Sequence, residues 1–417
     1  MLFLESKVQR IQEDLEVMAR HTATPGQGVT RFSFSDEDRL TREYIKERMK
    51  QCGLMVYEDT AGAIVGRRSG KNDQAPVVMV GSHFDSVKNG GPFDGPAGVV
   101  AALEIARVLE ENQVMTEHPI EFIALVEEEG GRFGGGLFGS RAMAGKVSME
   151  ELMTYNDKDG ISMAHAMAKF GFDPDLIGSA ARDPRQLRAF FELHIEQGPI
   201  LEATGISVGI VEIVVGITQL EITLQGRPDH AGTTPMDMRA DALVAAADLI
   251  MKIGRLAKSA GNGTVATVGK ISARPGAANI VPGNVECTVD IRSKKEENIN
   301  FVVRGIEREL KLLMRRNPAI SYSMMCKLAI APVRLTPRII DILTAEGNDR
   351  GISTKLMQSG AGHDAMVMAG LTEVGLIFVP SKSGRSHCPE EWTDYLQLKQ
   401  GVDLLLGAVL AVAQKIT

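Results

Sequence analysis

The chain has 417 residues, which is enough for two domains that each bury a core of their own. Hydrophobic residues make up 44% of the chain and charged residues 24%, the proportions of an ordinary soluble globular protein. The formal net charge of -7 excludes the basic footprint of a nucleic-acid-binding protein, so we expect no nucleic-acid partner.

The scattered cysteines and the short apolar segments favour a cytoplasmic location. The four cysteines are scattered without a CxxC pair, so neither a disulfide framework nor a cysteine zinc site is indicated. No apolar run approaches the roughly 20 residues that a membrane span needs. The amino-terminal residues MLFLESKVQRIQEDL predict a charged helix rather than a signal peptide. We therefore expect a cytoplasmic protein without membrane contact.

The first half of the chain alternates helices with apolar strands. An amphipathic helix is predicted near the amino terminus, and Ser35 begins a second helix with a capping box. The buried strand 75–80 leads into a helix that opens at Pro96, and residues 119–126 predict another buried strand. This alternation predicts an α/β catalytic domain with a mixed, largely parallel sheet and helices on both faces.

Around residue 209 the pattern changes. Strands are predicted at 208–215, 218–224, 264–271, 285–291 and 319–325, with helices at 239–259 and 295–316. This order predicts a separate α+β domain of the ferredoxin-like kind, inserted into the first. The predicted bounds are 1–208 and 329–417 for the catalytic domain and 209–328 for the insertion.

Histidines and carboxylates follow several predicted strands. They are His83, Asp94, Glu128, Glu129, His194 and His387. In open α/β sheets the carboxyl ends of the strands form the crevice that binds ligands. Neutral imidazoles and carboxylates are the donors that suit zinc, manganese, cobalt or nickel. The sequence therefore predicts a two-metal centre, in which one glutamate binds metal and its neighbour acts as a general base.

Each of these positions also has a simpler interpretation. His83 could be a core histidine, Asp94 only a helix N-cap, and Glu128 with Glu129 a solvated acidic turn. Asp85 would point the same way as His83 and hold its second ring nitrogen. The glycine-rich GGRFGGGLFG that follows the glutamates lacks the ending of a phosphate-binding loop. The occurrence of several such motifs together favours the metal centre.

The motifs GSHFDSV, EEGGRFG, ELHIEQG, HAGTTPM, NIVPGNVECTVDIR, SGAGHDA and FVPSKSGRSHCPEE closely resemble, in this order, those of the hydantoinase/carbamoylase family of dinuclear-metal amidohydrolases. The resemblance covers essentially the whole chain. It implies hydrolysis of the ureido C–N bond of an N-carbamoyl-L-amino acid to the amino acid, CO2 and ammonia. Allantoate is the alternative substrate, and an aminoacylase or dipeptidase on the same scaffold is less favoured. A metal-free binding module would require a degraded ligand set.

The resemblance also implies roles for the metal-site residues. One divalent ion would be held by His83, Asp94 and His194. A second would be held by Glu129 and His387, with Asp94 bridging the two. Glu128 would be the general base that takes a proton from the attacking water, and Asp85 would support catalysis beside it. Glu127 adds a third acid and leaves open which glutamate is the base.

The inserted domain would be a lid that also forms a homodimer. The resemblance makes His230 a stabiliser of the tetrahedral oxyanion, and Asn279 and Arg292 the partners of the substrate carboxylate. Further substrate contacts are implied for Gln197, Gly360 and His363. On their own, Arg292 could be a surface ion-pair partner, Asn279 a turn residue and His230 a loop histidine.

Overall fold

The computed structural model describes residues 3–414, which form two compact units. The larger unit contains the described residues of Met1–Glu212, Arg334–Met357 and Gly362–Thr417. The smaller unit contains Ile213–Val333 and Gln358–Ala361. The insertion was predicted at 209–328. The main segment of the smaller unit begins and ends a few residues later, and the unit also includes the short segment Gln358–Ala361.

Helices and strands alternate along the described residues. The helices are α1 (Val8–Arg20), α2 (Asp36–Gln51), α3 (Pro96–Glu111), α4 (Phe138–Met143), α5 (Met149–Thr154), α6 (Met163–Phe170), α7 (Ile200–Thr204), α8 (Ala242–Ala260), α9 (Glu296–Arg316), α10 (Pro337–Arg350), α11 (Asp364–Met368) and α12 (Tyr395–Ala413). The strands are β1 (Met55–Glu58), β2 (Ile64–Arg68), β3 (Val77–His83), β4 (Ile120–Leu125), β5 (Leu187–Ile195), β6 (Val208–Val214), β7 (Gly216–Gln225), β8 (Val265–Arg274), β9 (Asn284–Ser293), β10 (Ser321–Ile330), β11 (Val333–Arg334), β12 (Thr354–Ser359) and β13 (Glu373–Val379).

The large sheet includes the strand order β1-β2-β4-β3-β5-β13-β6. Its four central strands, β4, β3, β5 and β13, run parallel, whereas β1, β2 and β6 pair in antiparallel fashion. The predicted α/β fold with a largely parallel sheet is confirmed. Because the central strands are parallel, their carboxyl ends meet at one edge of the sheet, where open α/β folds bind ligands.

Strand β6 belongs to the large sheet rather than to the inserted domain, where the sequence prediction placed it. Gly209 and Ile210 pair with Phe378 and Ile377 of β13. Apart from one exposed residue, Glu212, the strand is buried throughout. A nearly continuous apolar run is typical of a strand covered on both faces, whereas alternation is typical of a sheet with one solvated face.

The smaller unit has an antiparallel sheet in the order β10-β7-β9-β8. With its helices, the chain order β7-α8-β8-β9-α9-β10 is the ferredoxin-like β-α-β-β-α-β motif. Every second residue of β9 is buried, from Val285 to Ile291. These side chains share one core with Leu249 of α8 and with Val302 of α9. The helices therefore cover one face of this sheet.

Helix α12 corrects the prediction that no apolar run reaches the length of a membrane span. The helix, which runs from Tyr395 to Ala413, is long and apolar enough to cross a membrane, yet about two thirds of its most apolar 18-residue stretch is buried inside the fold. Leu404, Leu405 and Val409 are fully buried in the core that also contains β3 and β5. A helix that is apolar on all sides is expected at such a central position.

Candidate active site

Polar side chains converge at the carboxyl edge of the large sheet. His83 is the last residue of β3, and His194 lies one residue before the end of β5. Glu128 and Glu129 follow β4, and the loop after β13 carries His387. The two strand histidines are 1% exposed, so their imidazoles lie in the interior of the larger unit. The parallel strands thus bring together the residues that the sequence separates.

Asp94 lies between two groups of candidate ligands. Its Oδ1 atom is 3.2 Å from Nε2 of His194 and 3.6 Å from Nε2 of His83. Its Oδ2 atom is 3.3 Å from Nε2 of His387, and that nitrogen is 3.4 Å from Oε1 of Glu129. The two oxygens of one carboxylate therefore face different groups.

The spacing and the chemistry of both groups fit a divalent ion. Ligand atoms around a tetrahedral zinc ion, with bonds of about 2.0 Å, lie about 3.3 Å apart. Within each group the ligand atoms lie within 4.8 Å of one another. Oε1 of Glu129 is buried and has no hydrogen-bond partner within residues 3–414. A buried carboxylate oxygen without a donor is the atom that a cation would satisfy.

The Asp94 carboxylate does not cap helix α3. The N-cap residue of α3 is Gly95 and the first helical residue is Pro96, so the interpretation of Asp94 as a helix cap is wrong. Gly95 has a φ of +81°. A Cβ atom at this position would overlap the imidazole of His83. Glycine therefore allows both the left-handed turn and the close approach of the ring.

Three non-glycine residues at the strand exits have left-handed backbones. They are Glu127 (φ +52°), Gln197 (φ +55°) and His387 (φ +57°). Such conformations are sparsely populated and cost on the order of 1–3 kcal/mol each. They cluster at functional sites, so their position around the candidate ligands supports the assignment of this edge as the active site.

The side chains of the consecutive glutamates Glu127 and Glu128 lie in different environments. Glu127 is fully buried, and its Oε1 accepts hydrogen bonds from the backbone N–H groups of Phe133 (3.0 Å) and Arg132 (3.3 Å). It therefore stabilises the glycine-rich loop. Glu128 places Oε2 3.7 Å from Nε2 of His83, at the edge of the first ligand group. Of the two candidates for the base, Glu128 is the one directed at a candidate metal ligand, His83.

Burial raises the pKa of several carboxyl groups in this region. Burial, together with neighbouring carboxylates, raises the pKa of Glu128 well above its usual range. Burial and the proximity of Asp94 raise the pKa of Glu129 to about 7. Burial and the proximity of Glu192 likewise raise the pKa of Asp364 to about 7. Bound divalent ions would stabilise the ionised form of these carboxylates, since metal ions are often the largest local charges in such sites.

Asp85 holds the turn that carries the two glutamates. Its carboxylate accepts hydrogen bonds from the backbone N–H groups of Glu128 (3.1 Å) and Glu129 (3.2 Å). Its Oδ1 atom is 3.6 Å from Nδ1 of His83, which is too long for a direct hydrogen bond. The second ring nitrogen of His83 instead lies 3.3 Å from the backbone carbonyl oxygen of Asp85, while the Asp85 carboxylate holds the backbone of the two glutamates.

Arg31 is a residue of this region that sequence reasoning missed. It lies before the second helix, in a segment without regular secondary structure, and it is 1% exposed. Its guanidinium donates to the backbone carbonyls of Phe84 (2.6 Å) and Met18 (2.7 Å). The residue therefore fixes the chain that follows His83. A single arginine among loop residues gives no local pattern from which its burial could be predicted.

Gln197 and His363, which were predicted to contact substrate, touch candidate metal ligands in this structure. Nε2 of Gln197 donates to Oδ2 of Asp94 at 2.7 Å. His363 is 2% exposed, and its ring packs edge-on against His194 with centroids 4.5 Å apart. Burial and the adjacent His194 hold the pKa of His363 well below its usual range. A substrate contact of either residue stays a prediction.

The smaller unit brings His230 beside Asn279. The backbone N–H of Ala231 donates to the carbonyl of Asn279 at 3.0 Å, and His230 forms a β-bridge with Ile280. Nδ1 of His230 accepts a hydrogen bond from the N–H of Gly232 at 3.0 Å. Because a backbone N–H can only donate, the neutral ring carries its proton on Nε2 and can donate it to an acceptor.

Arg292 in β9 already has partners within the smaller unit. Its Nε donates to Oδ1 of Asp290 at 2.8 Å, and its Nη1 donates to the carbonyl of Gly360 at 2.7 Å. The ion pair that we considered as an alternative for Arg292 is therefore present. The side chain is 34% exposed, so part of it is accessible to solvent.

The sequence profile of peptidase family M20/M25/M40 matches residues 79–411. The chain belongs to this family. It is 44% identical over 413 residues to N-carbamoyl-L-amino-acid amidohydrolase of Paenarthrobacter aurescens, a match that covers 99% of this chain and 100% of the relative. It is 34% identical to allantoate amidohydrolase of Escherichia coli strain K12, with 95% and 96% of the two chains covered.

The chain is also similar to a solved structure. An amidase of the hydantoinase/carbamoylase family from Burkholderia multivorans superimposes with a TM-score of 0.90 at 32% identity. The superposition covers 99% of this chain and 100% of that chain. The resemblance to the hydantoinase/carbamoylase family, inferred from the motifs, is thereby confirmed.

Proposed function

We propose that this M20 protein hydrolyses the ureido C–N bond of N-carbamoyl-L-amino acids, giving the L-amino acid, CO2 and ammonia. The observation that carries the proposal is the position of Asp94, whose two oxygens face two separate groups of candidate ligands. The relative named N-carbamoyl-L-amino-acid amidohydrolase, 44% identical over nearly the whole chain, favours the carbamoyl substrate.

Two divalent ions would be held at these groups, one by His83, Asp94 and His194 and the other by Asp94, Glu129 and His387. The nitrogen and carboxylate donors suit zinc, manganese, cobalt or nickel. When bound, the ions supply Lewis-acid activation of water and of the ureido carbonyl.

The chain's own residues would move the proton and stabilise charge. Glu128 would accept a proton from the attacking water and deliver it to the leaving nitrogen, as a general base that then acts as an acid. Asp85 keeps Glu128 in place through the backbone N–H of that residue. His230, with its proton on Nε2, would donate to the oxygen of the ureido carbonyl as that oxygen gains negative charge. Asn279 would contribute to binding the substrate carboxylate.

Arg292→Ala is expected to raise the KM for N-carbamoyl-L-methionine by about tenfold or more, because a charge-assisted hydrogen bond contributes about 1.5–3 kcal/mol. The kcat should change much less, since the substrate carboxylate takes no part in bond cleavage. Steady-state kinetics check this result. Arg304→Ala, an exposed arginine in α9, is the matched control. An unchanged KM for Arg292→Ala would show that the carboxylate is bound elsewhere.

We also infer a homodimer that forms through the smaller unit. Apolar side chains on α8 and on the edge strand β8 are exposed, among them Val244 (62%), Met251 (65%) and Val265 (53%). Exposed apolar surface and an unpaired strand edge are typical of a protein interface.

The four cysteines, all in the described part of the chain, are free thiols, which supports the cytoplasm as the compartment of this protein.

Hydrolysis of allantoate is the second candidate, favoured by the 34% identity to the allantoate amidohydrolase of Escherichia coli. The test is product formation by manganese-loaded protein with N-carbamoyl-L-methionine, allantoate and N-acetyl-L-methionine at equal concentrations. We expect the fastest turnover with the carbamoyl compound. Faster turnover of allantoate would assign the second candidate. Turnover of the acetyl compound alone would instead indicate an aminoacylase.

A further inference from the structure

Glu391 is a buried carboxylate that belongs to neither group of candidate metal ligands. It lies in the loop that carries His387 and is 2% exposed. Its Oε1 atom accepts hydrogen bonds from the backbone N–H groups of Phe93 (2.9 Å) and Asp94 (3.0 Å). The side chain therefore ties the loop that precedes α3 to the loop of His387, although the two are almost 300 residues apart in the sequence.

The second oxygen of Glu391 reaches the Asp94 side chain through Ser386. Oγ of Ser386 lies 2.9 Å from Oε2 of Glu391 and 2.6 Å from Oδ2 of Asp94. Nε2 of Gln197 donates to the same Asp94 oxygen at 2.7 Å. The amide of Gln197 thus donates to the Asp94 oxygen that faces the second ligand group, and the single hydroxyl proton of Ser386 is shared between that oxygen and Oε2 of Glu391. Oε1 of Glu391 fixes the backbone of Asp94.

Close packing around Glu391 restrains the two loops that its hydrogen bonds connect. A Cβ atom at Gly91 would overlap the carboxyl group of Glu391, so glycine is needed where the side chain crosses the loop. The ring of Phe93 packs edge-on against Trp392, with centroids 5.4 Å apart. The residues on both sides of these hydrogen bonds therefore hold the two loops together.

We propose that Glu391 is a positioning residue of the metal centre. By holding the backbone at Asp94 and the hydroxyl of Ser386, it keeps the Asp94 carboxylate in the orientation that presents one oxygen to each ligand group. Because Asp94 is shared, a small rotation of its carboxylate would disturb both groups at once. The inference rests on the metal centre proposed above.

The test is the affinity of the full chain for Mn²⁺, measured by competition with a chelator in the absence of substrate. Glu391→Ala is expected to lower the affinity by about 10–100-fold, the usual effect of removing a partner that orients a metal ligand. Glu391→Gln should lower it less, since the amide oxygen can still accept from the backbone N–H groups. Glu390→Ala is the matched control, because this neighbouring carboxylate is exposed and pairs with Arg385 at 2.9 Å; its affinity should be unchanged.

The Tm of the metal-free proteins separates a metal-site effect from a folding defect. If Glu391→Ala does not fold, Ser386→Ala removes only the hydroxyl that links Glu391 to Asp94 and should weaken Mn²⁺ binding in folded protein. Unchanged Mn²⁺ affinity in the folded variants, or an equal loss in Glu390→Ala, overturns the proposal. Since no substrate is used, a failed carbamoylase assay leaves the inference standing. Wild-type protein that binds no Mn²⁺ refutes the metal centre and this inference together.

Discussion

Glu128→Gln is expected to keep both divalent ions and to lose turnover by a factor on the order of 10²–10⁴, the usual contribution of a positioned acid or base. The carboxylate lies beside His83, but it belongs to neither ligand group. The amide has nearly the same size, yet it cannot accept the proton of the attacking water. Measurement of kcat with N-carbamoyl-L-methionine, together with the metal content per subunit, checks the result.

Glu127→Gln is the matched control for this prediction. Glu127 accepts two backbone hydrogen bonds with one oxygen, and the amide oxygen of glutamine can accept the same two. This variant should therefore keep metal and most of its turnover. If Glu128→Gln retains most of its activity while Glu127→Gln loses it, the base has been assigned to the wrong glutamate.

The candidate metal ligands could be predicted from the sequence because their side-chain chemistry and the topology of the sheet both indicate the carboxyl edge of the large sheet. His83, Glu129 and His194 each lie at the end of an apolar run, and parallel strands place such ends at one edge of a sheet. The ferredoxin-like order of the smaller unit could be predicted for a similar reason. Strand β9 alternates buried and partly exposed residues, a pattern with a period of two that is visible in a single sequence.

Other features depend on contacts between distant parts of the chain and have no local signal. Glu391 was not predicted as a site residue, because its hydrogen bonds to the backbone N–H groups of Phe93 and Asp94 join segments far apart in sequence. Arg31 was missed since burial of one arginine follows from the fold around it. Strand β6 was assigned to the wrong sheet, because an apolar strand does not specify its neighbours.

Asp94 is the candidate ligand that both groups share, so the proposed metal centre predicts that one substitution affects two sites. Asp94→Ala is expected to lose both divalent ions and, with them, all measurable turnover. His194→Ala removes a ligand of the first group only, and His387→Ala a ligand of the second group only. Each of these should lose occupancy mainly at its own site. The sharing of one carboxylate thus predicts a difference between variants that two independent sites would not show.

Elemental analysis of dialysed protein gives the number of ions per subunit and checks the prediction directly. We expect about two ions in wild-type protein, about one in each histidine variant and almost none in Asp94→Ala, as follows if the bridging carboxylate serves both ions. His165→Ala, which removes an exposed histidine of α6, is the control and should keep the wild-type content. Retention of one ion by folded Asp94→Ala would contradict the bridging role. In that case the short distances from Asp94 to His194 and His387 would reflect proximity rather than shared coordination, because a site with its own complete set of ligands survives the loss of a neighbour.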